Sequence, residues 1–265
     1  MDTVSVVTVC YNAEKEIEKT IQSVLKQTYT NFEYIIVDGK STDKTMEIVN
    51  KYVCQFQEKG INCKVLSEKD KGIYDAMNKG VELAECDWVI FMNAGDLFYS
   101  ESVLEKMFKE DCSEFDIVYG DTELSSQGYF RLSKGRPFSQ IEKSMPFCHQ
   151  SVFVKRNVLK DNKFNTSYRI AADYDLFVRL YKKNAKHKHI EEIVSTYDMS
   201  GISETMHTLC LKEEAVTRNA NNIKQSNLYY SILMTQLILF RRKLIIKFMP
   251  QMYYSEERGW YKKDA

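Results

Sequence analysis

Residues 4–12 read Val4-Ser5-Val6-Val7-Thr8-Val9-Cys10-Tyr11-Asn12. The apolar, β-branched residues of this stretch predict a buried strand over 4–9. Asn12 is a candidate N-cap for a helix that follows the strand. A strand that leads directly into a helix is typical of an α/β fold. The apolar residues that mark one face of this helix are Ile17, Ile21, Val24 and Leu25.

The same alternation of strand and helix continues to about residue 92. Strands are predicted at 34–37, 64–66 and 88–92, with helical patterns between them. Crossovers this short indicate a mostly parallel central sheet that is covered by helices on both faces. Ligands bind such sheets beyond the carboxyl ends of the strands. The segments of interest are therefore those that follow strands, namely 10–12, 38–39, 67–72 and 93–96.

The second half of the sequence is less regular. Strands are predicted at 116–119, 151–154 and 190–197, and a helix at 173–181. No internal repeat or low-complexity linker separates these elements from the first half. We therefore expect one domain over 1–205 and a C-terminal helical extension over 206–265.

Composition limits the classes of protein to consider. The chain has 265 residues, 44% of them hydrophobic, which is enough to bury one substantial core. Its 37 Lys and Arg residues balance 37 Asp and Glu residues, so bulk charge gives no reason to expect nucleic acid as a partner. The seven cysteines include no CxxC pair and are odd in number, and the N-terminus has no secretory pattern. These features predict a reducing, cytoplasmic location.

The tail has a distinct composition from Leu228 onward. An apolar run of about 13 residues precedes the basic cluster Arg241-Arg-Lys243, and this run is shorter than the roughly 20 residues that a membrane span requires. A helix with an apolar side and a basic end is typical of a peripheral contact with anionic lipid, here over 228–250 at the inner face of the plasma membrane. Packing on the core or in a homodimer is the alternative.

Three strings resemble one large enzyme family. They are Val6-Val-Thr-Val-Cys-Tyr-Asn12, Ile36-Val-Asp-Gly-Lys-Ser-Thr-Asp-Lys-Thr45 and Ser67-Glu-Lys-Asp-Lys-Gly-Ile-Tyr-Asp-Ala-Met-Asn-Lys-Gly80. In this order and after strands, they resemble the bacterial GT-A inverting glycosyltransferases of family 2, as found in surface-polysaccharide biosynthesis. The resemblance implies a Rossmann-like GT-A fold over 1–205, with a nucleotide-sugar half at about 1–100 and an acceptor half at about 101–205.

The resemblance also implies the positions that bind the donor, which is expected to be UDP-linked. A nucleotide needs a flat surface and a hydrogen-bond acceptor for its base, and Tyr11 and Asp38 offer these. A core aromatic and a turn-capping carboxylate are the alternatives for these two residues. The implied nucleotide-binding residues are Thr8, Tyr11, Asp38, Asp70, Lys71, Gly72 and Asn93.

A metal site is implied at Phe91-Met-Asn-Ala-Gly-Asp96, where the family carries an Asp-x-Asp motif. Here the first acid is missing, so Asp96 is the predicted ligand of Mn²⁺ or Mg²⁺, and Ala94 is placed in the donor or acceptor pocket. Either cation commonly takes one or two protein carboxylates and completes its shell with water and phosphate. A helix N-cap before Leu97 is the alternative role for Asp96.

The general base is predicted at Asp173, in Ala171-Ala-Asp-Tyr-Asp175 at a helix start. Asp175 is placed in the donor or acceptor pocket or as a helix cap. The alternative for Asp173 and Asp175 is that both acids are there because the helix dipole favours negative charge at a helix N-terminus. In the same way His149 is placed in the donor or acceptor pocket, and His207 is a weaker candidate for a late metal or phosphate ligand. A cysteine hydrolase built on Cys148 and His149 is disfavoured, because neighbours in a strand point to opposite faces.

The expected partners are a nucleotide-sugar donor and a glycan or lipid-linked acceptor. A sugar nucleotidyltransferase is the first alternative, but residues 8–14 lack the Gly-rich loop that would hold its phosphates. A nicotinamide dehydrogenase is excluded because the sequence has no GxGxxG. A non-catalytic module that binds sugar nucleotides is the remaining alternative, and it is supported by the weakened metal motif.

Overall fold

The computed structural model describes residues 2–199, 206–225 and 227–263. Its strands are β1 (Val4–Cys10), β2 (Phe32–Asp38), β3 (Asn62–Ser67), β4 (Trp88–Phe91), β5 (Leu97–Phe98), β6 (Ile117–Ser126), β7 (Tyr129–Ser133), β8 (Val152–Lys155), β9 (His187–Asp198) and β10 (Trp260–Tyr261). Its α-helices are α1 (Ile17–Leu25), α2 (Thr45–Glu58), α3 (Ile73–Leu83), α4 (Val103–Met107), α5 (Arg156–Asp161), α6 (Ala172–Lys182), α7 (His207–Ala220), α8 (Leu228–Phe248) and α9 (Pro250–Tyr253).

All of these strands belong to one curled, mixed sheet. The strand order is β10-β7-β6-β8-β4-β1-β2-β3, and β9 pairs with both β6 and β5. Strands β1 to β4 are parallel to one another, as the alternation of strand and helix predicted. The second half adds antiparallel pairs through β8 and β7, so the sheet as a whole is mixed. The carboxyl ends of β1, β2, β3 and β4 therefore meet along one edge.

Two apolar clusters cover the two faces of the sheet. One cluster packs α3 and α6 against the sheet, and the other packs α1 and α2 against its opposite face. Helix α3 lies very close to β1 at Gly80, where an added Cβ would be only 2.5 Å from the Cγ1 atom of Val7. A glycine at this point lets the helix backbone reach the sheet, and the turn before α3 is positioned accordingly.

Asn12 does not cap α1, which begins only at Ile17. Its backbone is in the left-handed region at φ 49°, a conformation that asparagine tolerates better than most residues. The side-chain oxygen of Asn12 accepts a hydrogen bond of 2.9 Å from the backbone N–H of Thr42. Asn12 therefore ties the loop after β1 to the loop after β2.

The described part of 206–265 contains the helices α7, α8 and α9 and the strand β10. β10 joins the edge of the sheet beside β7, and Trp260 is almost fully buried there. The buried carboxylate of Glu123 on β6 accepts hydrogen bonds from the Tyr261 hydroxyl at 2.5 Å and from the Lys263 ammonium at 2.8 Å. The described chain thus returns to the sheet after α8 and is held there by these contacts.

Helix α8 leaves most of its apolar residues in contact with solvent. None of its 21 residues is fully buried, and the helix packs against its neighbours α7 and α9. Among the described helices, none combines the length and the apolar character that crossing a membrane requires. The exposed large apolar side chains of α8 are Tyr229, Tyr230, Leu233, Met234, Leu237, Ile238, Phe240, Leu244 and Phe248.

Candidate active site

The loops that follow β1, β2, β3 and β4 lie side by side at the carboxyl edge of the parallel strands, and the space above them is called the cleft below. A second cavity of about 830 Å³ lies at the opposite end of β4, near Asp87, Trp88 and Arg156. None of the strand-following segments lines that cavity. We therefore place the chemistry at the carboxyl edge, where ligands of such sheets bind.

Tyr11, Gly39 and Asp70 lie together at one end of the cleft. An added Cβ on Gly39 would be 2.5 Å from an Asp70 carboxylate oxygen and 3.3 Å from the Tyr11 ring. The Tyr11 ring is 64% exposed, so it is not the core aromatic considered as its alternative role. A glycine between these two side chains leaves space beside the exposed ring and the carboxylate, and this space is the candidate pocket for the base.

Asp38 is fully buried beneath this pocket. Its carboxylate accepts hydrogen bonds from the backbone N–H of Ser41 at 3.1 Å and from the Ser67 hydroxyl at 2.6 Å, and the Ser41 hydroxyl also donates to it. These are the bonds of a turn-capping carboxylate, the alternative that the sequence left open. Burial and the Asp38 charge raise the pKa of the neighbouring Cys10 thiol to about 12.

Asp70, Lys71 and Gly72 form the turn that opens α3. The backbone N–H of Gly72 donates to Asp70 at 2.9 Å, and that of Lys71 donates to Asp75 at 3.0 Å. Gly72 has φ 123°, a conformation that favours glycine. Because carboxylates of the chain already cap these two N–H groups, the exposed Lys71 side chain is the part of the turn that remains available for a phosphate.

The turn after β4 is held by buried hydroxyl groups. Thr8 has no exposed area, and its hydroxyl donates to the backbone oxygen of Met92 at 2.7 Å. The predicted nucleotide contact of Thr8 is therefore corrected: its side chain lies inside the core and supports the metal-motif turn instead. Thr20 accepts from Gly95 at 3.0 Å, and the N–H of Ala94 bonds to Val9 at 3.2 Å. Ala94 packs toward the core below the cleft.

Asp96 is buried, with 7% of its surface exposed. Burial raises the pKa of its carboxyl from 3.8 to about 7, a hydrogen bond from the Gln150 side chain opposes this rise, and the charge of Asp198 adds to it. Asp96 does not cap a helix, because the next element is strand β5. Nearby, the buried side-chain oxygen of Asn93 has no hydrogen-bond partner among the described residues.

The protein oxygen atoms at this turn can hold a divalent cation only if other molecules complete its coordination shell. The described residues contain no group of three or more His, Cys, Asp or Glu side chains that would form a protein cage around a metal. One buried carboxylate and one unpartnered amide oxygen are nevertheless present at the same turn. Mg²⁺ and Mn²⁺ accept such a partial set when phosphate and water supply the remaining oxygens.

Asp173 stands in the first turn of α6 and is half-buried. One of its carboxylate oxygens accepts a 2.9 Å bond from the N–H of Tyr174 and lies 3.3 Å from the Tyr74 hydroxyl. That hydroxyl donates to the backbone oxygen of Ile170 at 2.7 Å. Burial, followed by the Asp173 charge, raises the pKa of Tyr74, so Tyr74 stays a neutral phenol beside the carboxylate.

Glu213 on α7 is a residue of this site that the sequence did not reveal. Its carboxylate accepts hydrogen bonds from the backbone N–H groups of Arg169 at 2.8 Å and of Ile170 and Ala171 at 2.9 Å each. These three residues lead directly into Asp173. The predicted C-terminal extension therefore holds the segment that carries the candidate base, and a single acid on a long helix gives no sequence signal for such a role.

The ion pair of Asp175 favours its alternative role as a cap over its predicted place in the donor or acceptor pocket. Its buried carboxylate forms an ion pair of 2.8 Å with Arg179, one turn further along α6. Arg179 also donates to the backbone oxygen of Lys163. The physical reason is the helix period, which turns a side chain two positions along to another face. Asp175 secures α6 to the chain before it.

His149 lies in an aromatic pocket beside Asp173. Its ring stacks on Phe91 with centroids 5.4 Å apart, and Phe164 and Phe177 meet it edge-on. Burial lowers the pKa of His149, and the Asp173 charge only partly opposes this effect, so the imidazole is neutral at pH 7. Both ring nitrogens are buried without a hydrogen-bond partner among the described residues, which leaves one donor and one acceptor for a ligand or water.

Cys148 connects the two candidate carboxylates. Its thiol donates to the side-chain oxygen of Gln150 at 2.9 Å, and Gln150 in turn bonds to Asp96. Burial, and then the charges of Asp96 and Asp173, raise the pKa of the Cys148 thiol to about 12. A thiol in this state is no nucleophile, which agrees with the exclusion of a cysteine hydrolase. The Cys148 thiol therefore lies within electrostatic reach of both carboxylates.

His207 lies apart from these residues. It stands at the start of α7 and lines a separate cavity with Asp198 and α8. The sequence alone does not reveal this cavity, because its lining residues Asp198 and His207 belong to different elements, β9 and α7. A role for His207 as a metal or phosphate ligand stays a prediction.

Comparison with known proteins identifies the family and the fold. The family model for Glycosyl transferase family 2 matches residues 5–185. A PGL/p-HBAD biosynthesis glycosyltransferase of Mycobacterium tuberculosis is 30% identical over 209 residues, which cover 76% of this chain and 79% of that protein. The amylovoran biosynthesis glycosyltransferase AmsB of Erwinia amylovora is 29% identical over 212 residues, which cover 74% and 69%.

Solved structures share the fold at lower identity. TarS 1-349 of S. aureus in complex with UDP superposes with a TM-score of 0.61 at 23% identity, over 81% of this chain and 68% of that one. The mannosyltransferase PcManGT of Pyrobaculum calidifontis, with GDP-Man and Mn²⁺, gives a TM-score of 0.62 at 17% identity, over 85% and 65%. With the family match over most of its length, the chain belongs to glycosyl transferase family 2 and is a glycosyltransferase of the GT-A fold.

Proposed function

We propose that the protein transfers one sugar, with inversion, from a UDP-linked donor to a glycan or lipid-linked acceptor during surface-polysaccharide assembly. The observation that carries the proposal is that Asp173, from the second half of the chain, lies 3.3 Å from the hydroxyl of Tyr74 in the first turn of α3, at the same edge of the sheet as the turn that carries the buried Asp96. Relatives named for amylovoran and PGL/p-HBAD biosynthesis support the setting. A fold neighbour in complex with UDP-GlcNAc supports the donor class.

The donor base is proposed to stack on Tyr11, with Asp70 at the wall of the same pocket. The exposed ring and the glycine beside it support this placement, since the bases of nucleotides stack readily on aromatic faces. Asp38 serves the pocket by holding the turn that carries Gly39. Lys71 extends from the start of α3 toward the donor phosphates, where a cation is favourable.

Asp96, with the side-chain oxygen of Asn93 beside it, is proposed to hold the Mn²⁺ or Mg²⁺. When bound, the cation supplies Lewis-acid stabilisation of the diphosphate that leaves. The chain's own contribution is a carboxylate that is kept out of water and aligned by Gln150. His149, as a neutral imidazole, offers a hydrogen bond rather than a positive charge to a hydroxyl or phosphate of the substrates.

Asp173 is proposed as the general base. The acceptor oxygen forms the new bond to the anomeric carbon as its proton moves to the Asp173 carboxylate. The bond from that carbon to the diphosphate breaks, and the electron pair leaves with the diphosphate. The bonds of Glu213 to the preceding segment support a fixed position for Asp173. Fixed geometry is what makes such a base effective.

The direct test of this function uses purified protein, Mn²⁺ and a panel of UDP- and GDP-sugars. A cognate donor binds the folded state and is expected to raise the melting temperature. The donor that does so should then release nucleoside diphosphate when a lipid or oligosaccharide extract is added. If none of the sugar nucleotides stabilises the protein and none is turned over, the proposal is wrong; stabilisation without release would indicate a binding module.

We further propose that α8 lies in the interfacial layer of the plasma membrane, on its cytoplasmic face. Its outer side carries an exposed apolar stripe with helical spacing, made of Leu233, Leu237, Phe240, Leu244 and Phe248. The helix contains four basic residues and no acidic residue, which suits anionic lipid. In a homodimer formed through this stripe, the basic residues of the two α8 helices would lie close together, and α8 has no acidic residue to balance them.

Replacing Leu237 and Phe240 with serine is expected to lower binding to phosphatidylglycerol vesicles by about tenfold or more, because both side chains would lose their burial in lipid. Co-sedimentation measures the binding, and Val216→Ser, at an exposed position on α7, is the matched control. Truncation before α8 is a poorer test, because it would also remove the buried Trp260 from the sheet. Unchanged vesicle binding, or a change in oligomeric state alone, would contradict the membrane role.

A further inference from the structure

Helix α3 connects the turn at residues 70–72, called the donor turn below, to the segment that precedes Asp173. The helix begins at Ile73, directly after this turn. Three of its side chains recur one helical turn apart, so they share one face of α3, and each bonds to the segment 163–170. They are Tyr74, Asn78 and Glu82. One helix therefore holds both the donor turn and the segment that leads into α6.

Asn78 fixes the beginning of that segment. Its side-chain N–H donates to the backbone oxygen of Phe164 at 3.0 Å, and its side-chain oxygen accepts from the backbone N–H of the same residue at 3.0 Å. The Phe164 ring also stacks on the Tyr74 ring, with centroids 5.6 Å apart. The backbone and the side chain of Phe164 are thus both held by α3.

Tyr74 fixes the end of the segment and also contacts the candidate base. Its hydroxyl donates to the backbone oxygen of Ile170 at 2.7 Å and lies 3.3 Å from the Oδ1 atom of Asp173. The backbone N–H of Tyr174 donates to the same Oδ1 atom at 2.9 Å. Both contacts fall on one oxygen of the carboxylate. Among the hydrogen bonds of the described chain, none reaches the other oxygen, Oδ2, so Oδ2 is the oxygen left to bind a substrate hydroxyl.

We propose that Tyr74 is a positioning residue for the transfer reaction, because its hydroxyl and the Tyr174 N–H hold Oδ1 of Asp173 while Oδ2 takes the proton of the acceptor hydroxyl. The inference rests on the proposed transferase function and deepens it by naming the oxygen that acts as the base. The proton moves from the acceptor oxygen to Oδ2, and the electron pair of the broken O–H bond stays on the acceptor oxygen, which attacks the sugar. A carboxylate that is free to rotate would meet this hydroxyl less often in the required geometry. Since Tyr74 is the second residue of α3, the same helix sets the position of the base relative to the donor turn.

The test compares the full chain with Tyr74→Phe, which keeps the ring on Phe164 and removes only the hydroxyl. The control is Tyr119→Phe. Tyr119 is also buried, and its hydroxyl also donates to a backbone oxygen, that of Arg136 at 3.0 Å. Two quantities are measured with the nucleotide sugar that stabilises the parent protein, namely its dissociation constant by calorimetry with Mn²⁺ and the rate of nucleoside diphosphate release at saturating donor with an acceptor extract. Melting curves give the temperature at which all three proteins are folded.

Tyr74→Phe is expected to lower the rate of release by about ten- to a hundredfold, the effect of losing one hydrogen bond to a charged group, and to leave the donor dissociation constant unchanged. Tyr119→Phe should leave both quantities unchanged. A purely structural role of Tyr74 would loosen α3 at its first turn and weaken donor binding to the same extent as the rate. That result, or a parental rate in Tyr74→Phe, would overturn the proposal. Absence of release from the parent protein with every donor would instead refute the transferase function.

Discussion

Asp173→Asn is expected to lower kcat by about a hundred- to ten-thousand-fold while nucleotide-sugar binding stays intact. The amide keeps the size of the carboxylate and can still accept the bond from the Tyr174 N–H, so α6 should begin as before. It cannot take the proton of the acceptor hydroxyl. Transfer rates at saturating donor and the donor-induced shift in melting temperature are the two measurements, because only the first depends on the base.

Asp175→Asn is the matched control for this prediction. It stands two residues along the same helix and breaks the buried ion pair with Arg179, so it should lower the melting temperature. Well below that temperature, its kcat should stay close to that of the parent protein. Parental rates in Asp173→Asn, or an equal loss of kcat in both variants, would contradict the assignment of the base.

Asp96→Asn is expected to abolish the metal-dependent part of donor binding and with it most of the transfer. Without metal, the same change should stabilise the fold at high pH. The folded-state pKa of Asp96 is raised from 3.8 to about 7, so folding disfavours its charged form. This cost is absent below pH 3.8, grows as the pH rises and is complete above about pH 7, where it is up to about 4 kcal/mol.

The measurement is a melting curve of the parent protein and of Asp96→Asn in a chelator, recorded between pH 4 and pH 8. The variant should melt higher at pH 8, and the gap should shrink toward pH 4. Adding Mn²⁺ should then raise the melting temperature of the parent and leave the variant unchanged. A parent that melts higher than the variant at pH 8 in the chelator, or a variant that responds equally to Mn²⁺, would contradict the role of Asp96.

The features that the sequence predicted depend on short-range patterns. The buried stretch around Val6 and the helix faces of α1 to α3 repeat with the periods of strand and helix, so the parallel half of the sheet was predictable. The positions of Tyr11 and Asp96 follow from the same patterns, because both stand in segments that follow strands β1 and β4. Their side chains therefore lie at the predicted edge.

The features that were missed depend on contacts between distant parts of the chain. The pairing of β6 with β8 and β7 and the return of β10 to the sheet are set by packing, for which local periodicity has no signal. Thr8 looked available because its motif precedes the cleft, but both faces of β1 are covered, so the side chain lies in the core whichever face it occupies. Glu213 supports Asp173 from a position 40 residues further along the chain, and charge alone could not identify that role.

The most direct test of the central claim is a crystal structure of the protein with its nucleoside diphosphate and Mn²⁺, with the metal located by anomalous scattering. The account predicts one manganese peak bonded to the Asp96 carboxylate and to the diphosphate, with the Asp173 carboxylate facing the same cavity from the acceptor side. A manganese bound elsewhere, or protein atoms that separate the two carboxylates into different cavities, would contradict it.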